Sequence, residues 1–190
     1  MNNYELFYIY SLCLGIFIYF YFFYSRYKNK KIEKDQMGNK EIMRLILINL
    51  FVLIPPFAYF FLKDYNYNIP NDIKNIAFVI MLIALVCIIK TSYDLGNEYS
   101  YTLQLRKNHK LVETGIYKYI RHPMYFCGLL FITAQSLLIP NIIGNISNLF
   151  VINMFWNGRI KDEEKMMIKE FGDKYKDYIK KTKSVIPFIF

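Results

Sequence analysis

Residues 109–125 form the first of two clusters whose residue types could do chemistry. Gly115 permits a turn, and Pro123 disfavours a helical conformation at His122 while suiting the first turn of a new helix. A helix that begins there has free backbone N–H groups, so we predict a site for a carboxylate or phosphate beside Arg121 and His122. The alternative is a plain membrane boundary, because basic and aromatic residues flank most membrane spans.

The second cluster begins at Arg159 and continues with three consecutive acids, residues 162–164. If the preceding apolar helix extends past Trp156, Arg159 and Glu163 are four residues apart on one helical face. Opposite charges would then lie side by side at the membrane boundary, where water is scarce. The alternative is an exposed helix with ordinary ion pairs, which contribute little to stability.

Long charge-free runs must position these clusters. A helix needs about 20 apolar residues to cross the hydrocarbon core of a membrane. Five runs approach this length, at residues 6–24, 45–62, 76–89, 124–139 and 142–156. The last two are predicted to form a helical hairpin, and Pro55 and Pro56 should kink the second run. We therefore predict an all-α, polytopic integral membrane bundle of about five transmembrane helices with a cytoplasmic C-terminal helix.

Lys and Arg are distributed unevenly between these runs. Seven fall in residues 25–44, two in 63–75, six in 90–123 and nine in 157–190. Because positively charged loops stay in the cytoplasm, this alternation predicts an N-terminus outside and a C-terminus inside. Both clusters then share the cytoplasmic side, and the hairpin should bring Arg121 and His122 close to Arg159 and Glu163.

The composition argues against several other classes of protein. The formal charge is +9, but the basic residues flank apolar spans, so we expect no nucleic-acid binding. Three cysteines inside apolar runs and two histidines without a Cys-x-x-Cys motif predict no metal site. A length of 190 residues predicts one domain, with anchoring helices in residues 1–93 and a cofactor-binding and catalytic core in 94–190. The small size favours a prokaryotic cell membrane.

Five sequence strings follow one another in the second half of the chain. They are LGNEYS at 95–100, HKLVETGIYKYIRHPMY at 109–125, RIKDEE at 159–164, FGDKYKDY at 171–178 and IP at 186–187. Over residues 90–190, this series resembles the shared core of isoprenylcysteine carboxyl methyltransferases and their prokaryotic relatives. The RHPxY element alone also occurs in phospholipid methyltransferases and certain membrane sterol reductases. Its combination with the downstream Arg-x-x-x-Glu and FGxxYxxY is more specific.

The resemblance implies a membrane enzyme that uses S-adenosylmethionine. Arg159 would face the substrate and, together with Glu163, carry the catalytic role. The residues that would surround the cofactor are Thr102 or Gln104, His109, Lys110, Leu111, Val112, Tyr117, His122, Pro123, Met124, Tyr125 and Glu163. The implied substrate is a lipophilic or prenylcysteine-like carboxylate that arrives through the membrane lipids, whereas the cofactor arrives from the cytoplasm.

These residue types suit the implied chemistry. S-adenosylmethionine carries an ammonium, a carboxylate and a sulfonium, so its site needs an acid, hydrogen-bond donors and apolar walls. A carboxylate acceptor is ionised at neutral pH and needs alignment, not a general base. The planar guanidinium of Arg159 could hold both carboxylate oxygens.

Three alternatives stay open. A phospholipid amine N-methyltransferase would use the same cofactor but would need a proton acceptor, for which His109, His122 or an acid is available. A membrane lipid reductase with a nicotinamide cofactor is suggested only by RHPxY, without a glycine-rich dinucleotide fingerprint. A non-catalytic membrane scaffold would leave the acids at 162–164 without a purpose.

Overall fold

The computed structural model of the chain describes residues 3–9, 39–98 and 110–186, and these ranges are mainly helical. The helices are α1 at residues 3–9, α2 at Asn39–Phe61, α3 at Asn71–Leu95, α4 at Pro123–Leu138, α5 at Ile142–Asn153, α6 at Lys161–Phe171 and α7 at Asp173–Lys181. A π-helical segment, Met154–Ile160, joins α5 to α6. Short 3₁₀ turns occur at Lys63–Tyr65, Gly96–Glu98 and Gly115–Lys118. No strand occurs within the described ranges, so the predicted all-α class is confirmed for them.

Two of these helices are long and apolar enough to cross a membrane. Met43–Phe61 within α2 has 19 residues and a mean hydropathy of 1.9, and α3 has 25 residues and a mean hydropathy of 2.4. At about 1.5 Å per residue, both lengths approach or exceed the roughly 30 Å hydrocarbon core. Large apolar side chains on both helices are exposed, Phe61 to 73% and Val86 to 65%. Contact with lipid accounts for such surfaces better than contact with water does.

The other three predicted runs have different outcomes. α4 and α5 lie at the predicted positions, but they have 16 and 12 residues, which is short for a full span. The run at 6–24 lies outside the described residues from residue 10 onward. The number of five transmembrane helices therefore stays a prediction.

The predicted hairpin between α4 and α5 turns at residues 140–141. Asn141 caps α5, because its side-chain oxygen accepts a hydrogen bond from Gly144 N at 3.1 Å. The Asn141 amide donates to Asn66 Oδ1 at 2.7 Å, which ties the hairpin to the segment after α2. Pro55 lies inside α2, which continues through it, and a Cβ at Gly144 would come within 2.9 Å of the proline Cα. The absence of a side chain at Gly144 thus permits this close packing.

Helix pairing brings both clusters to one end of the bundle. α3 packs along α4, and α2 packs along α5. Small residues such as Ala77 and Ala134 are fully buried in the core between helices, where they permit close approach. Ile132 and Val151 form part of a second core. The start of α4, the end of α3, the start of α2 and the π-helical segment consequently meet.

Candidate active site

A C-terminal strap, residues 182–185, fixes the backbone of the first cluster. Arg121 N donates to Lys183 O, and His122 N donates to Ser184 O, both at 2.9 Å. The strap therefore runs beside the residues that precede α4. No sequence pattern indicated this pairing, because the two segments are far apart in the chain.

The Arg121 guanidinium joins three parts of the structure at this point. Its Nε donates to Glu164 Oε1 at 3.0 Å, and its Nη1 donates to Thr182 O at 2.6 Å. The start of α4 is thereby linked to α6 and to the strap. These bonds engage several of the donors that the predicted anion site would require, so Arg121 is an anchor in this structure.

The first turn of α4 begins with Pro123, as predicted. His122 has φ −122° and ψ 57°, which is outside the helical region but short of the extended ψ expected before proline. Tyr125 N and Phe126 N donate to His122 O at 3.1 and 3.3 Å. These two N–H groups are engaged, and Pro123 has none. The helix start therefore offers fewer free donors than the sequence indicated, and the support for an anion site is weaker.

His122 is 3% exposed and faces two carboxylates of α6. Its Nε2 lies 3.2 Å from Glu164 Oε1, and its Nδ1 lies 3.8 Å from Glu163 Oε1. The hydrogen bond with His122 lowers the pKa of Glu164; burial opposes this shift, and the charge of Arg121 adds to it. Glu164 is therefore ionised at neutral pH. The hairpin brings His122 close to Glu163, as the sequence predicted.

Glu163 and His122 present two acceptor atoms to the same space. The Tyr125 hydroxyl donates to Glu163 Oε2 at 2.8 Å, which leaves Oε1 facing the imidazole. His122 Nδ1 is buried and has no hydrogen-bond partner in the described part of the chain. In the neutral tautomer whose Nε2–H donates to Glu164, Nδ1 is an acceptor. A ligand group that brings its own donors, such as an ammonium or a hydroxyl, would complement this pair.

Arg159 belongs to the π-helical segment. It contacts α2, and the sequence did not indicate this contact. The helix extends past Trp156, as predicted, but its π-helical hydrogen bonds span five residues and change the expected α-helical register. Arg159 Nη2 lies 3.7 Å from Glu41 Oε1 on α2. Tyr125 is within electrostatic reach of Glu163, Arg159 and Glu41. Arg159 and Glu163 thus share one charged neighbourhood around Tyr125.

The loop at residues 110–118 is held by the end of α3. Lys110 N donates to Glu98 Oε2 at 3.3 Å, and Ile116 N donates to Asp94 Oδ2 at 3.0 Å. Gly115 has φ 61°, a left-handed conformation that favours glycine, so the predicted turn is confirmed. A Cβ at Gly115 would overlap the Asp94 carboxylate.

Tyr117 and Met124 are buried or partly buried beside the cluster. The Tyr117 carbonyl accepts a hydrogen bond from the Tyr178 hydroxyl at 2.6 Å. Burial, and secondarily the charge of Glu163, raises the pKa of Tyr117, so its hydroxyl stays protonated. Met124 Sδ accepts a hydrogen bond from Thr91 Oγ1 at 2.9 Å, which fixes it against α3.

The remaining predicted cofactor residues lie on the loop or outside the described ranges. Lys110 is exposed, and Leu111 and Val112 are partly exposed on the loop. Thr102, Gln104 and His109 lie outside the described residues.

A small apolar cleft opens beside the polar cluster. Its lining residues are Tyr125, Leu129, Ile132, Ile152, Phe155, Trp156, Ile160 and Val185. Tyr125 therefore contributes to the cleft with its ring and to the polar cluster with its hydroxyl. An apolar group in the cleft would lie against Tyr125, whose hydroxyl donates to Glu163.

Three residues of this site were missed in the sequence. Glu164 was noticed only as part of an acidic run, although its contact with His122 is shorter than that of Glu163. Glu41 lies on α2, within the residues assigned to anchoring, and Asp94 lies at the end of α3, at the first position of the predicted catalytic core. No local pattern distinguishes these two acids, because their partners become neighbours only when the helices pack.

Comparison with known proteins identifies the region around this site. Residues 73–169 match the model of the isoprenylcysteine carboxyl methyltransferase (ICMT) family. The protein-S-isoprenylcysteine O-methyltransferase of Saccharomyces cerevisiae is 26% identical over 195 residues, which cover 99% of this chain and 81% of the relative. Those of Schizosaccharomyces pombe and Dictyostelium discoideum are 34% and 36% identical over 96 residues, half of this chain. These matches span only 41% and 40% of the two relatives.

A solved structure also resembles the fold. The eukaryotic intramembrane Ras methyltransferase ICMT superposes with a TM-score of 0.56 at 24% sequence identity. The match covers 82% of this chain and 55% of that one. At 24% identity the structural match supports the fold alone. Membership of the family rests on the match to the family model.

Proposed function

This chain belongs to the isoprenylcysteine carboxyl methyltransferase family, and we propose that it transfers a methyl group from S-adenosylmethionine to the carboxylate of a lipophilic, prenylcysteine-like acceptor. The observation that carries the proposal is the position of Tyr125 between a polar cluster and an apolar cleft. A site for this reaction needs both, because one reactant is charged and the other is lipophilic. The class of acceptor is inferred from the relatives, which are named protein-S-isoprenylcysteine O-methyltransferases.

The polar cluster fits the cofactor chemically. S-adenosylmethionine supplies an electrophilic methyl group on its sulfonium. Glu163 Oε1 and His122 Nδ1 are the acceptors that an ammonium or a ribose hydroxyl requires. Leu111 and Val112 are assigned to its apolar wall, and Thr102 or Gln104, His109, Lys110, Tyr117, Pro123, Met124 and Tyr125 complete the proposed set.

Arg159 is the proposed clamp for the acceptor carboxylate. Its guanidinium belongs to the charged neighbourhood of Tyr125. The ring of Tyr125 also lines the cleft. An apolar chain in the cleft would exclude water, and the bidentate guanidinium would align the carboxylate. Since the carboxylate is already ionised at neutral pH, no residue has to remove a proton.

We also propose that the chain lies in a membrane with its site on the cytoplasmic side. Two apolar helices and the exposed apolar surfaces of α2 and α3 support membrane placement. The lipophilic acceptor would then reach the cleft through the lipid phase. Water-soluble cofactor would reach Glu163 from the cytoplasm.

A methyl-transfer assay tests the proposed function. The purified protein in lipid nanodiscs is incubated with S-adenosylmethionine labelled in its methyl group and with an N-acylated S-prenylcysteine. We expect a labelled product that releases its label in base, as a methyl ester does. The matched control is the carboxamide of the same acceptor, which should not be labelled.

Two outcomes would contradict this function. Base-stable label on phosphatidylethanolamine in the nanodiscs, without label on the carboxylate, would indicate an amine methyltransferase. Calorimetric binding of a reduced nicotinamide cofactor, without binding of S-adenosylmethionine, would indicate a reductase.

A further inference from the structure

A charged network connects the start of α2 to the π-helical segment and α6. Arg44 Nη1 donates to Glu41 Oε2 at 2.9 Å, and Arg44 Nη2 donates to Asp162 Oδ2 at 2.6 Å. Glu41 Oε1 lies 3.7 Å from Arg159 Nη2. The network therefore joins the guanidinium groups of Arg44 and Arg159 to the carboxylates of Glu41 and Asp162.

The centre of this network is buried. The side chains of Glu41, Arg44 and Arg159 are each 10% exposed, whereas Asp162 is 35% exposed. A buried guanidinium is stable only beside a compensating negative charge. Removing the carboxylate of Glu41 would therefore disturb Arg159 more than a surface substitution would.

Glu41 divides its two oxygens between the two arginines. Oε2 forms the hydrogen bond with Arg44, which fixes the carboxylate in place. Oε1 has no hydrogen-bond partner within the described residues and faces Arg159 at ion-pair distance. At 3.7 Å this contact orients the guanidinium by charge and is too long for a hydrogen bond.

The local structure of the π-helical segment accommodates the network. Gly158 lies against Arg44, and a Cβ there would be 3.2 Å from Arg44 Nε. The missing side chain thus lets Arg44 lie on the segment that carries Arg159. Glu41 and Arg44 precede the region that matches the family model, which begins at residue 73.

We propose that Glu41 is a positioning residue that acts through Arg159 and holds its guanidinium in the orientation that receives the acceptor carboxylate. This inference rests on the proposed function, in which Arg159 is the clamp. It makes α2 part of the acceptor site and not only a membrane anchor. Glu41 itself touches neither the acceptor nor the cofactor.

A pair of matched variants tests this role. Glu41→Gln removes the charge that faces Arg159, whereas Asp162→Asn removes the ion pair between Arg44 and α6 and leaves Glu41 in place. In Glu41→Gln we expect the KM for the N-acylated S-prenylcysteine to rise roughly 10- to 100-fold, the scale of losing one partner of a buried charge pair. In Asp162→Asn the rise should stay below about fivefold, because a partly exposed ion pair contributes little.

Cofactor binding and rescue separate positioning from a purely structural role. The Kd for S-adenosylmethionine should stay within about twofold of the unaltered protein in both variants, because Glu41 contacts Arg159 and Asp162 contacts Arg44, and neither arginine is a proposed cofactor residue. Glu41→Asp keeps the charge, so its KM for the acceptor should lie between that of Glu41→Gln and that of the unaltered protein. If Glu41→Gln does not fold, the comparison of Glu41→Asp with Asp162→Glu decides, and only the former should raise the KM.

The outcomes distinguish this inference from the function on which it rests. An unchanged KM in Glu41→Gln, or equal changes in Glu41→Gln and Asp162→Asn, would overturn the role of Glu41 while transfer by the unaltered protein upholds the function. If Glu41→Gln does not fold, an equal KM in Glu41→Asp and Asp162→Glu would overturn the role in the same way. Failure of the unaltered protein to label the acceptor, although it binds S-adenosylmethionine, would overturn both.

Discussion

Tyr125 connects the two chemical environments of the proposed site. Its hydroxyl donates to Glu163 at 2.8 Å, while its ring lines the apolar cleft. A hydroxyl at the edge of an apolar surface usually takes a hydrogen-bond partner, because leaving it buried without one is costly. The partner here is the same acid that is proposed to bind the cofactor. One side chain thus joins the proposed cofactor site to the proposed acceptor site.

Substitutions of Arg159 and Glu163 should separate acceptor binding from cofactor binding. Arg159→Ala should lower methyl transfer by roughly 10²- to 10³-fold, the usual effect of deleting one charge-stabilising donor, with little change in S-adenosylmethionine binding. Glu163→Ala should weaken S-adenosylmethionine binding by about 2–4 kcal/mol if the contact is desolvated. Transfer assays and calorimetry on both variants measure these effects.

Arg159→Lys provides the control for geometry. Lysine keeps the positive charge but lacks the planar pair of donors, so a carboxylate acceptor should be methylated more slowly. Full activity in this variant would contradict the clamp role. Equal loss of cofactor binding in both alanine variants would instead identify a charge pair that only shapes the pocket.

The loop at 110–118 owes its position to neighbouring elements. α3 contributes Asp94, which accepts from Ile116 N, and α7 contributes Tyr178, which donates to the Tyr117 carbonyl. The loop is thus held from two sides although it has only a short 3₁₀ turn of its own. Its contribution to cofactor binding should depend on these contacts, because few internal hydrogen bonds stabilise it.

Gly115→Ala should weaken cofactor binding through this loop. The left-handed φ of Gly115 makes any side chain costly by about 1–3 kcal/mol. The new Cβ would also displace Asp94 from Ile116 N, so we expect a roughly five- to tenfold higher Kd for S-adenosylmethionine, the scale of one lost hydrogen bond. Thermal unfolding and calorimetry give the two quantities.

Gly172→Ala is the matched control for this prediction. Gly172 has φ 55°, but a Cβ there would meet no atom within 4 Å. Both variants should lose stability, Gly115→Ala more because it also loses the contact with Asp94, and only Gly115→Ala should lose affinity. Equal affinity in both would show that the contact with Asp94 does not position the loop.

At the scale of the whole molecule, polar and apolar parts are segregated by position. Ion pairs and the strap gather where α2 and α4 begin and α3 ends, whereas exposed apolar side chains extend along α2 and α3. A bilayer favours this arrangement, because charged groups are costly in its core. We therefore propose that the site lies at one membrane surface.

Reporter fusions should place the segment after α7 and the connection between α2 and α3 on opposite sides of the membrane. A reporter after Lys183 should be cytoplasmic, and one inserted within residues 63–75 should be outside, because Lys and Arg are concentrated at the first position and sparse at the second. Activity of a compartment-specific reporter in cells gives the result. The same compartment for both fusions would refute the topology.

Local chemistry determined the features that the sequence alone could predict. The apolar runs at 45–62 and 76–89, the hairpin at 140–141 and the helix start at Pro123 all follow from short stretches of residues, since hydropathy and backbone restriction act over a few positions. Only the tertiary structure decided which charges meet. The contact of Glu41 with Arg159 and the anchoring of Arg121 by the strap and Glu164 join segments far apart in the chain. Such pairs depend on how whole helices pack and on a π-helical register that no local pattern indicated, so the clusters were visible in the sequence while their partners were not.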